Sequence, residues 1–468
     1  MRSSARRIVP VLGLFVLAAA SAAGGADGTL EAPMRRAIDD AAKAVLAATG
    51  APSASVAVVS GGAVAYVQAY GSARLAPAVA PAAPGMRYSI GSVSKQFTAT
   101  AILMLAEEGK LSLDDPVSKF VPGLTRGDEV TIRQILSHTS GYQDYWPQDY
   151  VPPFMLQPTT AAEILDRWAK KPLDFEPGTQ YQYSNTGYVL AGAIVEKASG
   201  TPLLPFLTAR IFKPLSMASV ANIDQDRLGD TDPTGYLRYA LGPPRPAPKE
   251  GKGWLFAAGE LAMTAEDLAR WNLGMIQQRL LKPASYRQMQ REVLLKNGLG
   301  IGYGLGIDVR QRDGHRLLEH GGEVSGFTAA NLVFPDDGVA VTVLVNQDSI
   351  GTSGALAGRI ADILLAGRAP AAEARARRIF EELQAGKLDR SALTANANSY
   401  FTAEAIADFA SSLGPLGAPK EVRQRSSNDR GGMTFRLFDV AFPGRTLAIW
   451  ERDMPDGTIE QFQVMAKD

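Results

Sequence analysis

A serine followed three residues later by a lysine, Ser92-Val93-Ser94-Lys95, is the smallest unit of this chain able to do covalent chemistry. On a helix, residues three apart share a face, so the amine would lie beside the hydroxyl. Lysine is protonated at its ordinary pKa and becomes a base for serine only where burial and neighbouring positive charge depress it. Two more patterns follow in order, Tyr183-Ser184-Asn185 and His320-Gly321-Gly322. The first two patterns arise readily by chance in 468 residues, but the three together, so ordered, point to a serine activated by lysine and tyrosine. In that chemistry Ser92 attacks, Lys95 takes its proton, and Tyr183 relays a proton to the leaving group, its phenolate favoured by nearby cations. Asn185 would hold the lysine and orient the substrate. A helix N-terminus at Ser92 would supply N–H groups and a positive dipole end to a developing oxyanion.

The elements that must place these groups are legible. Leu30, Met34, Ile38, Ala42 and Leu46 recur at helical spacing over Thr29 to Thr49, with Gly50 as the stop. Ser53 to Val59 and Ala63 to Ala69 alternate as strands around the hairpin turn Ser60-Gly61-Gly62. Arg74 to Gly85, rich in Ala and Pro, reads as an extended surface crossing, and Ser92 heads a helical run closed by Gly109. From about Leu111 to about Met289 the pattern is helix and loop. Strand alternation then returns at Leu317 to Glu319, Thr328 to Phe334 and Val339 to Val345, before a helix over Gly354 to Gly367. The expected fold is α/β in the α+β sense, an antiparallel sheet flanked by helices with a helical domain inserted at about 111–289. A cleft between sheet and helices is a common place for a small-molecule site.

Beyond Pro370 the character changes. A helix to about Leu383 leads to three or four strands, Met433 to Phe442, Thr446 to Trp450 and Ile459 to Met465 being the clearest, joined by turns at Arg430-Gly431-Gly432, Pro443-Gly444 and Asp456-Gly457. Residues 370–468 are expected to form a separate α+β domain with no catalytic constellation, either a docking module for a protein partner or a buttress for the catalytic part. At the other end, Arg2, Arg6 and Arg7 precede an apolar stretch from Ile8 to Ala20 and the small residues Ala20-Ser21-Ala22-Ala23. This reads as a signal peptide over 1–23, short for a bilayer anchor, which places the mature protein in the periplasm or outside the cell. The chain has no Cys, so no disulfide framework supports it and core burial must. Lys plus Arg balance Asp plus Glu at 48 each, and no basic run is interleaved with aromatics, which argues against a nucleic-acid partner.

From about Thr29 to Gly367 the chain resembles the serine β-lactamase and penicillin-binding-protein family, closest in motif style to class C β-lactamases and their esterase and D-peptidase relatives. The resemblance rests on Ser89-Ile90-Gly91-Ser92-Val93-Ser94-Lys95, Leu111-Ser112-Leu113-Asp114-Asp115-Pro116-Val117, Leu136-Ser137-His138-Thr139-Ser140-Gly141 and Phe175-Glu176-Pro177-Gly178 before the tyrosine motif. Ala258-Gly259 and Thr264-Ala265-Glu266-Asp267-Leu268 extend it. It implies an acylated Ser92, Lys95 and Tyr183 as the proton-transfer pair, Asn185 as a positioning residue, and residues 320–322 as one wall of the site. It also implies substrate contacts at His320 and Gly322, and an oxyanion hole of the Ser92 and Glu323 N–H groups. Class C enzymes usually carry Lys-Thr-Gly where this chain has His320-Gly321-Gly322. Histidine is mostly neutral near pH 7, so recognition of a substrate carboxylate is weakened and ester or D-amino-acid amide hydrolysis is favoured over β-lactam hydrolysis. The competing expectation is a penicillin-binding or sensor protein with little turnover on the same fold.

The remaining candidates read more plainly. His138 is taken as structural, His315 as an exposed turn residue and Glu176 as a surface residue. Tyr142, Tyr145, Trp146, Tyr150 and Phe154 either line the mouth of the cleft or pack a loop. With three His, no Cys and no H-E-x-x-H, neither a metal nor another cofactor is expected, and no G-x-S-x-G marks an α/β-hydrolase elbow.

Overall fold

The computed structural model describes residues 29–146, 148–226, 228–348, 350–430, 433–454 and 457–467. The leader at 1–23 and, in part, the turns at Gly431-Gly432 and Asp456-Gly457 lie outside the described residues.

Helix α1 (Ala32–Thr49) carries Pro33 in its first turn and ends at Gly50, whose left-handed φ of 70° lets its N–H reach the Leu46 carbonyl. Its buried positions Ile38, Ala42 and Val45 form one stripe. The hairpin follows as β1 (Ser53–Ser60) and β2 (Ala63–Arg74), turning on Gly61 and Gly62, both with positive φ. The expected surface crossing contains a two-residue strand, β3 (Ala80–Pro81), laid on β2. The far end of the region supplies β4 (Asp308–Arg312), β5 (His315–Val324), β6 (Phe327–Phe334) and β7 (Val339–Val345). Among the described residues these make a seven-stranded sheet in the order β3-β2-β1-β7-β6-β5-β4. The pairings are antiparallel, as expected, with Ala57 opposite Thr342 and His320 opposite Asn331.

Two apolar layers close the sheet. Helix α1 and the helix Thr352–Leu365 cover one face, where Val56, Val58, Val341 and Val343 meet Ile38, Leu356 and Ile360. On the other face Ala57, Val59 and Leu344 join the large core around α2 (Lys95–Glu107). Every residue of α2 from Lys95 to Leu105 is buried, so this helix is the axis of the molecule. The helix Ala265–Ile276, within the stretch expected as the helical insertion, lies against the sheet: Asn272 donates to Asn331 Oδ1 at 2.7 Å and to Thr342 Oγ1 at 3.1 Å.

Three sequence expectations need correction. Ser92 does not head the α-helix directly; it lies in a 3-10 turn (Gly91–Ser94) that runs into α2. Edge strand β4 was not anticipated, because Asp308-Val309-Arg310-Gln311-Arg312 is charged and sits half exposed. His315 is buried rather than exposed, since β5 extends back to pair it with Arg312 and its Nδ1 lies 2.9 Å from Asp337 Oδ1 in the next hairpin.

Residues 371–466 close over a core of their own, in which Ile379, Phe380 and Leu383 of the helix Ala371–Gln384 meet Phe438, Val440, Ile449 and Phe462. Among the described residues four antiparallel strands carry it: Glu421–Arg430, Met433–Phe442, Arg445–Asp453 and Ile459–Ala466.

One contact fixes the site more than any other. A Cβ at Gly322 on β5 would sit 1.9 Å from the Ile90 carbonyl oxygen and 3.3 Å from Ser92 N, and a Cβ at Gly91, where φ is 51°, would sit 2.6 Å from Glu323 N. Strand and nucleophile turn therefore touch backbone to backbone. Gly322→Ala is expected to lower stability by about 1–3 kcal/mol and to reduce turnover, because the turn must back away from the strand; thermal denaturation with activity assays checks both.

Candidate active site

The long-range folding of the helical region sets the second motif beside the first. The segment Ser137–Gly141 reaches the Phe175–Gly178 turn, with Gly178 N–H donating to Thr139 O at 2.8 Å and Gln182 N–H to His138 O at 2.9 Å. Ser184 then caps the helix α3 (Asn185–Ser199), its hydroxyl accepting from Gly187 N–H. Asn185 stands at the first turn of α3, facing the first turn of α2.

Lys95 is wholly buried at the meeting point. Its Nζ lies 2.9 Å from Ser92 Oγ, 2.8 Å from Asn185 Oδ1 and 2.8 Å from the Ala258 carbonyl oxygen. Burial pulls its pKa down to about 7, against the opposing pull of Asp144. The sequence reading anticipated burial and neighbouring positive charge; here burial acts alone and the neighbour is an acid. The partners decide what the neutral amine does. Two are carbonyl oxygens that can only accept, so the two N–H bonds go to them and the lone pair faces the Ser92 hydroxyl. That is the geometry of a general base, within hydrogen-bond reach of the proton it takes.

Asp144 was not singled out in the sequence, yet it sets this geometry. Its carboxylate accepts from Asn185 N–H and Asn185 Nδ2, each at 3.0 Å, which turns the amide so that Oδ1 faces Lys95. Burial raises the Asp144 pKa to about 6, partly offset by N–H donors from Trp146 and Asn185. Its only sequence signal was its place inside the aromatic run. The Ala258 oxygen belongs to the Ala258-Gly259 stretch of the resemblance and is backbone, so no side-chain pattern marks it.

Tyr183 is half-buried over the same amine, with Lys95 Nζ 5.0 Å from its ring centre, and Ser92 is the polar side chain that opposes the desolvation of its phenol. Burial pushes the Tyr183 pKa far up. The expected phenolate is therefore disfavoured, and Tyr183 stands as a neutral phenol that can pass a proton but not start the reaction as a base. His138, read as structural, stacks on this ring at 4.1 Å between centres.

On β5, His320 and Gly322 face the nucleophile side, while Gly321 and Glu323 are exposed on the cleft. His320 is 4% exposed, and burial with the nearby Lys95 drives its pKa to about 4, so it is neutral at pH 7. The cavity that takes in Ser92 measures about 1010 Å³ and runs past β5 to the helix Thr352–Leu365. Tyr145, Trp146 and Tyr150 line it, whereas Tyr142 is buried against the Thr125 carbonyl and Phe154 is exposed outside it. Glu176 is on the surface, paired to Arg126 at 2.6 Å. Among the described residues no cluster of three or more His, Asp or Glu is arranged to hold a metal ion.

The sign of the pH response follows from Lys95. Raising pH removes its proton and frees the lone pair, so kcat/KM is expected to rise as pH passes through about 7. Lys95→Arg, whose guanidinium stays protonated, is expected to abolish turnover at every pH. Asp144→Asn removes the charge that holds the Lys95 pKa up, so the acid limb of the profile is expected to move to lower pH even where the overall rate falls. Steady-state pH profiles of the three proteins check these outcomes.

Comparison with known proteins agrees with this geometry. Penicillin-binding protein 4* of Bacillus subtilis is 28% identical over 320 residues, covering 63% of this chain and 68% of that protein. D-aminopeptidase of Brucella anthropi is 28% identical over 299 residues, and the chain spans 56% of its length. Among solved structures, a D-stereospecific amidohydrolase from Streptomyces sp. aligns at 28% identity and TM-score 0.62 over 71% of this chain and 99% of that one. The octameric penicillin-binding protein homologue from Pyrococcus abyssi, 23% identical with TM-score 0.62, shares the fold over 92% of this chain and 99% of its own. The Beta-lactamase family model matches residues 38–365, a span that takes in the whole sheet, the buried lysine and all three motifs, and the chain belongs to the β-lactamase family.

Proposed function

We propose that the protein is an exported serine hydrolase that forms an acyl-enzyme at Ser92 and acts on amides or esters of D-amino acids. The observation that carries this reading is the buried Lys95 amine, whose two carbonyl partners leave its lone pair for Ser92 Oγ. In the first half-reaction Ser92 Oγ bonds to the substrate carbonyl carbon and its proton passes to Lys95 Nζ. The oxyanion lies against the Ser92 and Glu323 N–H groups, a reading supported by the close approach of Gly91 to Glu323 and of Gly322 to Ile90 and Ser92. The proton then reaches the leaving nitrogen or oxygen through the Tyr183 phenol, the C–N or C–O bond breaks, and the acyl group stays on Ser92. Water repeats the sequence and releases the acid.

Charge in the cleft supports the substrate class. Of the described charged side chains that line it, Glu323 and Asp348 are acids, Asp308 and Glu319 are acids paired to Arg310 at 2.9 and 3.0 Å, and the base, Arg312, is bound to Asp362 at 2.7 Å. With His320 neutral, the third motif offers no cation to a carboxylate. Neutral substrates, or those with a free ammonium, suit this lining better than those carrying a carboxylate beside the scissile bond. The D-aminopeptidase and D-stereospecific amidohydrolase relatives fit the same class. Export rests on the basic and apolar leader at 1–23.

The test is turnover of D-phenylalanine amide, a short nitrophenyl ester and a chromogenic cephalosporin by the mature protein. Amide or ester turnover is expected to exceed cephalosporin turnover, and Ser92→Ala is expected to lose about a thousandfold or more. His320→Lys is expected to improve carboxylate-bearing substrates over neutral ones by about tenfold. A Ser92 acylated by penicillin but not turned over would place the protein among penicillin-binding or sensor proteins instead.

A further inference from the structure

Behind the nucleophile, three buried side chains join the tyrosine motif to the third motif. Ser184 N–H can only donate, and it lies 3.0 Å from His138 Nδ1, so that nitrogen accepts and the His138 proton sits on Nε2. His138 Nε2 is 3.3 Å from the Tyr303 hydroxyl. At the other end the Gly321 carbonyl can only accept, and it lies 2.6 Å from His320 Nδ1, so the His320 proton sits there. His320 Nε2 is then an acceptor, 2.9 Å from the Tyr303 hydroxyl. Each neutral group has one donor and one acceptor, and the chain runs in one direction: Ser184 N–H to His138, His138 to Tyr303, Tyr303 to His320, His320 to Gly321. All three rings are buried. His138 also stacks on Tyr183 with the planes 28° apart, and holds a positive φ of 59° that few non-glycine residues adopt.

We propose that His138 and Tyr303 are positioning residues for the hydrolysis described above: His138 holds the Tyr183 ring and its turn over Ser92, and Tyr303 occupies His320 Nε2. This rests on the hydrolase reading. With both His320 nitrogens taken, the wall at 320–322 meets the substrate through backbone groups. The third motif thereby acts as a shaped edge and not as a charged hand, and its histidine serves to fix the strand.

Imidazole 15N NMR on the full mature protein tests the chain without any substrate, and the sequence has only three histidines to assign. At pH 7 His138 is expected as the Nε2–H tautomer and His320 as the Nδ1–H tautomer; either ring in the opposite tautomer overturns the proposal. The kinetic readout is labelling of Ser92 by a fluorophosphonate, which does not depend on the natural substrate. Tyr303→Phe is expected to move the His320 Nε2 resonance and slow the maximal labelling rate about tenfold, with the half-saturating probe concentration changed by less than about twofold. A shifted resonance with an unchanged rate would remove Tyr303 as a positioning residue. His138→Asn tolerates the positive φ and offers Ser184 N–H an oxygen, so it is expected to recover part of the rate lost in His138→Ala; equal rates in the two would remove His138. If these outcomes hold while D-phenylalanine amide is not cleaved, the substrate reading fails and the positioning proposal stands.

Discussion

The site depends on taking one ammonium group out of water. Helix α2 is buried along its length, and Lys95 at its start has no path to solvent, so its charge is opposed by the same burial that stabilises the helix. The protein supplies three oxygens and one nearby acid, enough to orient the amine but not to hold it fully protonated at neutral pH. A lysine on an exposed helix with the same S-x-x-K spacing would be a cation and no base. The catalytic meaning of the first motif is thus a property of the core.

A second constraint is steric. The nucleophile turn and β5 are closer than any side chain would allow, and Gly91 and Gly322 are the positions where that closeness falls. The contact carries two consequences at once. It sets the backbone at Gly91 and Ser92 against that at Gly322 and Glu323, and it anchors the strand that forms the wall of the cleft. Because β5 pairs with β6 at His320–Asn331 and Gly322–Ala329, the position of the wall is set by the register of the sheet.

Around these two constraints the polar groups form a connected shell. Asp144 orients Asn185, Asn185 and Ala258 orient Lys95, and His138 touches Tyr183 from behind. Each buried polar atom in that shell has a partner of the right sense, which is what a low-dielectric interior demands. The neutral His320 belongs to the same economy of charge: with a base at Lys95 held near neutrality, a second cation a few ångströms away would oppose its protonation cycle.

The sequence by itself determined the family, the residues of the candidate site and most of the local structure. Ser92, Lys95, Tyr183 and Asn185 are recognisable by type and order, and α1, the Gly61-Gly62 hairpin and strands such as Met433–Phe442 follow from periodicity and turn residues, which act over a few positions. The charged edge strand β4 and the burial of His315 were hidden, because pairing with β5 and with Asp337 overrode local polarity. Tertiary structure alone decided the surroundings of the Lys95 amine. The partners of Lys95 come from 90 and 163 positions away, and Tyr303 reaches His138 across 165. Desolvation and hydrogen-bond direction arise only when such distant groups enclose a side chain, so they set Lys95 near 7, keep Tyr183 a phenol and leave His320 neutral.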